Sequence, residues 1–192
     1  LDGIRTAGSR AAKILQNMLS FARQGASVKQ PCQISAIIDQ TIEIAQSDYD
    51  LKEEYDFKNI QILKDIPPDL PPVFCEKSKI QQVLFNLFKN AAEAMSQGPK
   101  GPAPRLSIHA RQARQTIVIR ITDNGPGMDE KTRKRIFEPF FTTKDVNKGT
   151  GLGLSVSYFI LVQEHKGNLE VISAPGKGTT FIVTLPGGPE PV

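Results

Sequence analysis

Residues 123–128 read Asp-Asn-Gly-Pro-Gly-Met, and residues 149–154 read Gly-Thr-Gly-Leu-Gly-Leu. The first stretch follows a segment, Gln115 to Thr122, whose isoleucines at every second position predict a strand. The second stretch opens a segment, Gly151 to His165, that we expect to be helical. The first loop follows a predicted strand and the second opens a predicted helix, so the other elements of the fold are placed around them.

Asp123 stands where the predicted strand ends. Its carboxylate can accept a hydrogen bond from an amino group such as the exocyclic amine of adenine. Gly125 and Gly127 let the backbone that follows approach a flat ring closely and adopt conformations closed to other residues. The same residue types also suit a plain turn, so both interpretations stay open for this stretch alone.

The second glycine stretch predicts an anion-binding loop. Successive small residues before a helix expose backbone N–H groups, and the helix dipole adds a partial positive charge. The stretch is not a Walker A loop, because it lacks the Gly-Lys-Ser/Thr ending. It is not a dinucleotide fingerprint either, because a lid-like segment, Phe140 to Lys148, precedes it in place of a strand. We expect a phosphate loop of another kind.

A strongly apolar helix is predicted from Lys77 to Met95. Asn86 and Asn90 lie four residues apart, so both amides project from one face of this helix. A buried amide without a partner costs about 1–3 kcal/mol, and a ligand or a hydrated cation is one such partner. Asparagine oxygens suit Mg²⁺, which keeps waters and is completed by substrate phosphates. The alternative is a pair of core amides bonded to neighbouring backbone.

The segment from Arg135 to Lys144 contains three phenylalanines, at positions 137, 140 and 141. They predict an apolar hinge, and Lys144 stands where a loop could reach a phosphate. The same rings also suit a loop anchored to the core, and we expect both roles.

The other segments predict a two-layer α+β domain over residues 33–186. Helical patterns cover 33–54 and about 129–137, and further strands are expected from Ile60, at Arg105 to Arg111, and near 168–173 and 179–185. Mixed helices and strands favour a mixed β-sheet with helices stacked on one face. We assign residues 25–32 to a linker and residues 187–192 to a tail.

Residues 1–24 predict one amphipathic helix. Its apolar residues follow the spacing of a coiled-coil seam with a second stripe beside it, which suits a helix of a bundle better than one docked on its own domain. The chain begins without a methionine, so we expect it to be a piece of a longer protein.

Composition argues against several functions. The net charge of +4 is spread along the chain, whereas nucleic-acid binders concentrate basic residues on one element, so we expect no nucleic-acid partner. Cys32 and Cys75 form neither a disulfide framework nor a metal-ligand spacing, which favours buried thiols and a cytoplasmic location. With His109 and His165 as its only histidines, the chain cannot build a His/Cys metal cluster. No apolar run approaches the length of a transmembrane helix.

The four motifs together, in this order and spacing, resemble the N box, first G box, F box and second G box of the ATP-binding domain of bacterial sensor histidine kinases. That domain belongs to a superfamily shared with gyrase and MutL. The matching stretches are Asn-Leu-Phe-Lys-Asn-Ala at 86–91, residues 123–128, Phe-Glu-Pro-Phe-Phe-Thr-Thr-Lys at 137–144, and residues 149–154. Residues 176–181 resemble the last hairpin of the family.

The resemblance covers residues 33–186, and residues 1–23 resemble the second helix of the family's dimerisation and phosphoacceptor domain. It implies a Bergerat-type ATP-binding fold, a two-layer α+β sandwich, preceded by one N-terminal bundle helix.

The resemblance also implies a site for ATP and Mg²⁺. Asn90 would coordinate the metal with support from Asn86, and Asp123 would bind the adenine amino group with help from Thr179. Residues 142–148 would form a short lid, as in the nitrogen-regulation-like branch of the family. The other residues expected at the nucleotide are Glu93, Gly125, Gly127, Met128, Lys144, Gly149, Thr150, Gly151, Leu152, Gly153 and Leu154.

The function implied is that of a protein-histidine kinase. Its catalytic portion would donate the γ-phosphoryl group of Mg-ATP to a histidine, for relay to an aspartate of a response regulator. Expected partners are ATP or ADP, the histidine-bearing helix of the parent protein, a response regulator and, in the full-length protein, a second copy in a homodimer.

Two departures from the wider superfamily bear on this function. Its ATPases carry a glutamate general base one turn before the metal-binding asparagine, and here Asn86 takes that place, which favours a kinase over a hydrolase. Neither histidine stands in a phosphoacceptor context, and we expect His165 to be a dipole partner at a helix end. The phosphoacceptor histidine, and with it any catalytic residue, is therefore expected outside these 192 residues.

Two alternatives remain. A serine kinase of the same superfamily, of the anti-sigma-factor type, would share the ATP motifs and lack the bundle helix. A nucleotide-gated dimerisation module would bind ATP without transferring phosphate. The sequence leaves open the signal, the cognate regulator, cis or trans phosphorylation, the oligomeric state, and whether the parent is anchored in the inner membrane.

Overall fold

The computed structural model describes residues 28–47, 57–97, 103–144 and 150–188. The predicted bundle helix, Gly149 and residues 145–148 of the predicted lid lie outside these ranges, as do residues 25–27 and 189–192. Across the described ranges, no helix has both the length and the apolar character needed to cross a bilayer.

The described helices and strands mix along the chain. They include a 3₁₀ turn, Phe57–Asn59, and a π-helical stretch, Phe159–Glu164. In chain order the elements are β1 (Gln30–Cys32), α1 (Ile34–Ser47), β2 (Gln61–Asp65), β3 (Val73–Cys75), α2 (Lys77–Gln97), β4 (Arg105–Ala113), β5 (Thr116–Asp123), α3 (Glu130–Arg135), α4 (Gly153–Tyr158), β6 (Asn168–Ser173) and β7 (Thr179–Pro186).

Five strands form a mixed sheet in the order β2-β4-β5-β7-β6. The β2 and β4 strands are parallel, and every other neighbouring pair is antiparallel. Along β5 the isoleucines at 117, 119 and 121 are buried, whereas Arg120 between them is exposed. This alternation places one face of the sheet on the core, which is the pattern of a strand buried on one side. The predicted α+β architecture is confirmed.

Helices α1 and α2 pack against each other and cover the buried face of the sheet. Apolar residues recur along α2 every three to four positions, and they are fully buried at Ile80, Val83, Leu84, Leu87 and Phe88. Burying one such side chain contributes about 1.5–3 kcal/mol, so tertiary packing holds this helix in place. The length predicted for α2 differs from that observed by two residues at its C-terminal end.

A second, two-stranded sheet pairs β1 with β3 in antiparallel register. Residues 30–32 therefore form a strand within the predicted linker, and the pairing partner lies more than forty residues away in the chain. Cys32 and Cys75 are free, buried thiols on these strands, as predicted. Burial, with the neighbouring Cys32 thiol as a smaller contribution, raises the pKa of Cys75 to about 12, so this thiol stays protonated at neutral pH.

The last helix differs from its prediction in form. It begins at Gly153 and changes to π-helix at Phe159, where a His165 N–H to Ile160 carbonyl bond spans five residues. His165 is buried, and its Nδ1 lies 2.8 Å from that same carbonyl while its Nε2 accepts from the Glu76 N–H at 3.1 Å. Burial lowers the pKa of His165. His165 therefore lies at the helix end as predicted, but as a neutral hydrogen-bonding group rather than a charged dipole partner.

Candidate functional site

Helix α2 presents polar side chains on one face. Asn86, Asn90 and Glu93 are spaced at i, i+4 and i+7, so they lie one above the other on a helix that is otherwise apolar. Residues from downstream segments meet this face at Asn86 and at Glu93. Segments that are far apart in the sequence therefore contact the same face of α2.

Asn86 is engaged by protein groups. Its Nδ2 donates to the Gly153 carbonyl at 3.2 Å and to Ser157 Oγ at 3.3 Å. Both acceptors belong to α4, so this amide ties the first turn of α4 to the middle of α2.

Asn90 differs from Asn86 in its partners. It is half-buried, and its side chain makes no hydrogen bond to any other residue that the structure describes. The Asn90 amide is only partly buried and is not among the fully buried atoms without a partner, so a water or a ligand can reach it. Of the two asparagines that the sequence singles out, the structure therefore leaves Asn90 available.

Glu93 is buried, with 3% of its surface exposed, and its carboxylate forms an ion pair with Lys144 Nζ. Lys144 lies at the end of the described F-box segment, and its backbone N–H donates to Thr142 Oγ1 at 3.1 Å. Because a buried carboxylate needs a counter-ion, the pair draws the start of the predicted lid onto α2.

Asp123 ends β5 with its carboxylate buried, only 4% of the residue being exposed. Its Oδ1 accepts hydrogen bonds from the N–H groups of Gly125, at 2.9 Å, and Thr179, at 3.2 Å. Burial raises the pKa of Asp123, and the two backbone hydrogen bonds partly oppose that shift. Its Oδ2 accepts no hydrogen bond from another described residue, so one oxygen of the carboxylate is fixed and the other is open to a donor.

Ser173 joins three parts of this pocket, and the sequence patterns did not identify it. Its hydroxyl lies 2.9 Å from the Gly178 carbonyl, 3.0 Å from Thr179 Oγ1 and 2.9 Å from the Met128 N–H. A carbonyl can only accept, so the Ser173 proton is committed to Gly178, and Thr179 donates to Ser173. The proton of the buried Thr179 hydroxyl is thereby used within this network, which leaves its oxygen able to accept.

Two glycines of the motifs are required by close backbone contacts. Gly127 has φ +69°, and a Cβ there would overlap the Ala174 carbonyl in the β6–β7 turn. Gly151 has φ +66°, and a Cβ there would lie 2.6 Å from the Phe140 carbonyl oxygen. Only glycine adopts this geometry without strain, so residues 123–128 and the glycine loop before α4 are each pinned to a neighbouring segment.

The other predicted residues lie around these contacts. Gly125 packs on α2, where an added Cβ would sit 3.4 Å from Ala94, and Gly153 would carry a Cβ 3.7 Å from the Asn86 side chain. Thr150 accepts weakly from the Leu152 N–H at 3.4 Å, and Leu152 is buried. Leu154 and Met128 pack partly buried against the core.

Two of the three F-box phenylalanines are packed against the core, and the third is exposed. Phe137 and Phe141 pack against the core, Phe137 also against the ring of Tyr158, while the guanidinium of Arg135 lies over the Phe141 ring. Phe140 is 58% exposed and has φ +65°, a strained value for a residue with a side chain. The anchored hinge is therefore formed by two of the three rings.

Within the described ranges, no group of three His, Cys, Asp or Glu side chains is placed to hold a metal ion. A cation at Asn90 would therefore need oxygens from a ligand and from water to complete its shell. That requirement fits Mg²⁺ bound together with phosphates.

The sheet, its covering helix and the glycine loops that meet on α2 define a nucleotide-binding class of domain. A family model described as "Histidine kinase-, DNA gyrase B-, and HSP90-like ATPase" matches residues 75–189, and the chain belongs to that family.

Among curated relatives, Sporulation kinase E of Bacillus subtilis is 37% identical over 177 residues, which are 92% of this chain and 22% of that protein. Signal transduction histidine-protein kinase AtoS of Escherichia coli is 34% identical over 178 residues, which are 93% of this chain and 27% of that protein. This chain spans about a quarter of the length of these two relatives.

Among solved structures, the catalytic domain of histidine kinase ThkA superposes with a TM-score of 0.67 at 27% identity. The match covers 83% of this chain and 98% of that one. The described fold is thus that of a histidine kinase catalytic domain.

Proposed function

We propose that this chain is the ATP-binding catalytic portion of a sensor histidine kinase. In the whole protein, the γ-phosphoryl group of Mg-ATP passes to a histidine on a bundle helix and then to an aspartate of a response regulator. The whole protein acts as a homodimer, with this portion in the cytoplasm.

The observation that carries the proposal is the convergence of three segments on α2. The segment after Asp123 contacts α2 at Ala94, Lys144 contacts it at Glu93, and the first turn of α4 contacts it at Asn86. Asn86 and Ala94 are eight residues apart, about 12 Å along the helix. Asn90, whose amide has no partner in the described part of the chain, lies midway. This length suits a ligand with an amine-bearing ring at one end and phosphates at the other.

At the ring end, Asp123 selects an amino group. Its Oδ1 is held by two backbone N–H groups, so Oδ2 is oriented toward the pocket as an acceptor. Thr179 adds an acceptor beside it, because its proton is directed to Ser173. Adenine presents the matching exocyclic amine, whereas guanine has a carbonyl at that position.

Between the two ends, Asn90 supplies a neutral oxygen ligand for Mg²⁺, and Lys144 is the nearby positive charge, held on α2 at Glu93. When bound, Mg²⁺ neutralises charge on the phosphates and orients the transferred group. Lys144 is paired with the buried Glu93, so its ammonium group would have to be shared with that carboxylate, or leave it, to reach a phosphate.

The polar side chains of α2 support transfer of the phosphoryl group to a protein side chain rather than to water. Asn86 occupies the position of the ATPase general base, and its amide cannot take a proton. Glu93, the carboxylate on this face, is committed to its ion pair with Lys144.

The test is isothermal titration of ADP and ATP with and without Mg²⁺, on the wild type and on Asn90→Ala. We expect the wild type to bind both nucleotides more tightly with Mg²⁺, and Asn90→Ala to lose that gain. Asn168→Ala, which changes an exposed asparagine on β6, is the matched control and should behave as the wild type.

A transfer assay then separates the kinase from a nucleotide-gated module. Radiolabelled ATP is mixed with this chain and a separately prepared dimer of the parent's histidine-bearing helices. Label on the histidine supports the kinase. Nucleotide binding without label on that histidine would contradict transfer and favour the gated module, and label on a serine of another protein would favour the serine kinase.

A further inference from the structure

We infer that Ser157 is a positioning residue for the phosphate-binding loop, an inference that rests on the proposed function. Ser157 lies on α4 with none of its surface exposed. Its Oγ donates to the Gly153 carbonyl at 2.8 Å and accepts from Asn86 Nδ2 at 3.3 Å. Neither the sequence motifs nor the family resemblance points to this residue.

The hydrogen bonds among these three groups have one consistent arrangement. Ser157 has a single hydroxyl proton, and the carbonyl of Gly153 can only accept, so that proton is committed. Asn86 uses its two N–H groups for the same carbonyl and for Ser157 Oγ. Reversing the amide would set Asn86 Oδ1 against the Gly153 carbonyl oxygen. The ring of three groups therefore fixes the side-chain orientation of Asn86 as well as that of Ser157.

Serine hydroxyls often bond the carbonyl four residues earlier in a helix, which by itself has no functional meaning. The link to α2 makes Ser157 different, because it joins the start of α4 to the helix that carries Asn90. Ser155 provides the contrast on the same helix. Its hydroxyl donates to the Leu152 carbonyl at 3.0 Å and makes no hydrogen bond to α2 in the described structure.

The consequence is a fixed spacing between two parts of the phosphate end. The glycine loop enters α4 at Gly153, and Asn90 lies one turn along α2 from Asn86. Without the Ser157 hydroxyl, the first turn of α4 would keep its packing but lose part of its register against α2. Phosphate binding would weaken, whereas the adenine pocket around Asp123, at the other end of α2, would be unaffected.

The test compares Ser157→Ala with Ser155→Ala, using titrations of adenosine, ADP and Mg-ATP followed by NMR. For Ser157→Ala we expect ADP and Mg-ATP to bind about fivefold more weakly, the factor that one net hydrogen bond corresponds to. Adenosine, which has no phosphate, should keep its affinity within about twofold of the wild type, a change too small to signify a lost hydrogen bond. Ser155→Ala should bind all three as the wild type does.

A second variant approaches the same ring from α2. Asn86→Leu removes the amide at similar volume, and we expect it to weaken ADP and Mg-ATP without weakening adenosine. The double variant should bind ADP and Mg-ATP no more weakly than the single variant with the larger loss of affinity, because both changes break one connected unit. This pair keeps the inference testable if one variant does not fold.

Three results would overturn the inference. Equal weakening of all three ligands would indicate a purely structural role, and unchanged affinities would indicate no role. A wild type that binds no nucleotide would overturn the proposed function together with this inference, so that failure is recognised before any variant is compared.

Discussion

Replacing Asp123 with asparagine changes one oxygen of the pocket and leaves the fold's own hydrogen bonds in place. In the structure Oδ1 accepts from the backbone N–H groups of Gly125 and Thr179. An asparagine would orient its carbonyl oxygen to those two donors, so its NH₂ group would take the place of Oδ2. A donor would then face the adenine amine, which is itself a donor.

The expected loss in affinity follows from that exchange. A hydrogen bond to a charged acceptor contributes about 1.5–3 kcal/mol, which corresponds to a roughly 10- to 150-fold weaker ADP affinity. The ligand-free chain, in contrast, should lose no stability on this substitution. Burial raises the pKa of Asp123, so the carboxylate is less stable in the folded chain than in the unfolded one at neutral pH. Removing that buried charge should keep or raise the melting temperature.

The assay is calorimetric titration with ADP together with thermal unfolding of the ligand-free chain, both at pH 7. Asp69→Asn, which changes an exposed carboxylate in the loop before β3, is the control and should alter neither measurement. The reasoning is refuted if Asp123→Asn binds ADP as the wild type does. A fall in melting temperature that accounts for the whole loss of binding would equally contradict it, since the residue would then be structural.

Three further predictions concern other contacts of the site and the fold. Gly151→Ala should lower the free energy of unfolding by more than about 1 kcal/mol, because Gly151 has a positive φ. Gly153→Ala, whose Cβ would make only ordinary contact with Asn86 at 3.7 Å, should change it by less, and urea unfolding of both variants measures the difference. Lys144→Ala should destabilise the chain, because the buried Glu93 carboxylate is then without its counter-ion. Adding Glu93→Gln should restore part of the lost stability in the same assay. Additive losses would show that the two residues act independently. His165 has a lowered pKa, so the unfolded chain binds its proton at higher pH than the folded chain does; stability should therefore be fully present above about pH 6.5 and decrease as the pH falls below it. A His165→Gln variant should lose less stability than the wild type between pH 7.5 and 5.5, and parallel pH profiles would rule out this histidine as the cause.

The motifs and most elements could be predicted because their signals are local. Alternating isoleucines define β5 and a three-to-four spacing defines α2, since both periodicities follow directly from the geometry of the element. The glycine stretches at 123–128 and 149–154 identify close backbone approaches for the same reason. Short strands carry no such signal. The three residues of β1 and of β3 show no readable periodicity, and their pairing crosses more than forty positions of the chain.

The candidate site divides in the same way. The sequence by itself determined which residue types are present, at which spacing, and hence that Asn86 and Asn90 share a helix face and that Asp123 ends a strand. It could not determine that Asn86 is bound to α4 while Asn90 has no hydrogen-bond partner among the described residues, because the partners of Asn86 lie 67 and 71 residues away.

Ser157 and Ser173 were missed for a related reason. A lone serine has no pattern of its own, and each becomes meaningful only when packing brings it to a polar group from a distant segment. Local periodicity and backbone sterics are encoded in neighbouring residues, so the sequence determines them. The choice of hydrogen-bond partner among several nearby polar groups depends on how α2, α4 and the β6–β7 turn pack together, and only the tertiary structure decides it.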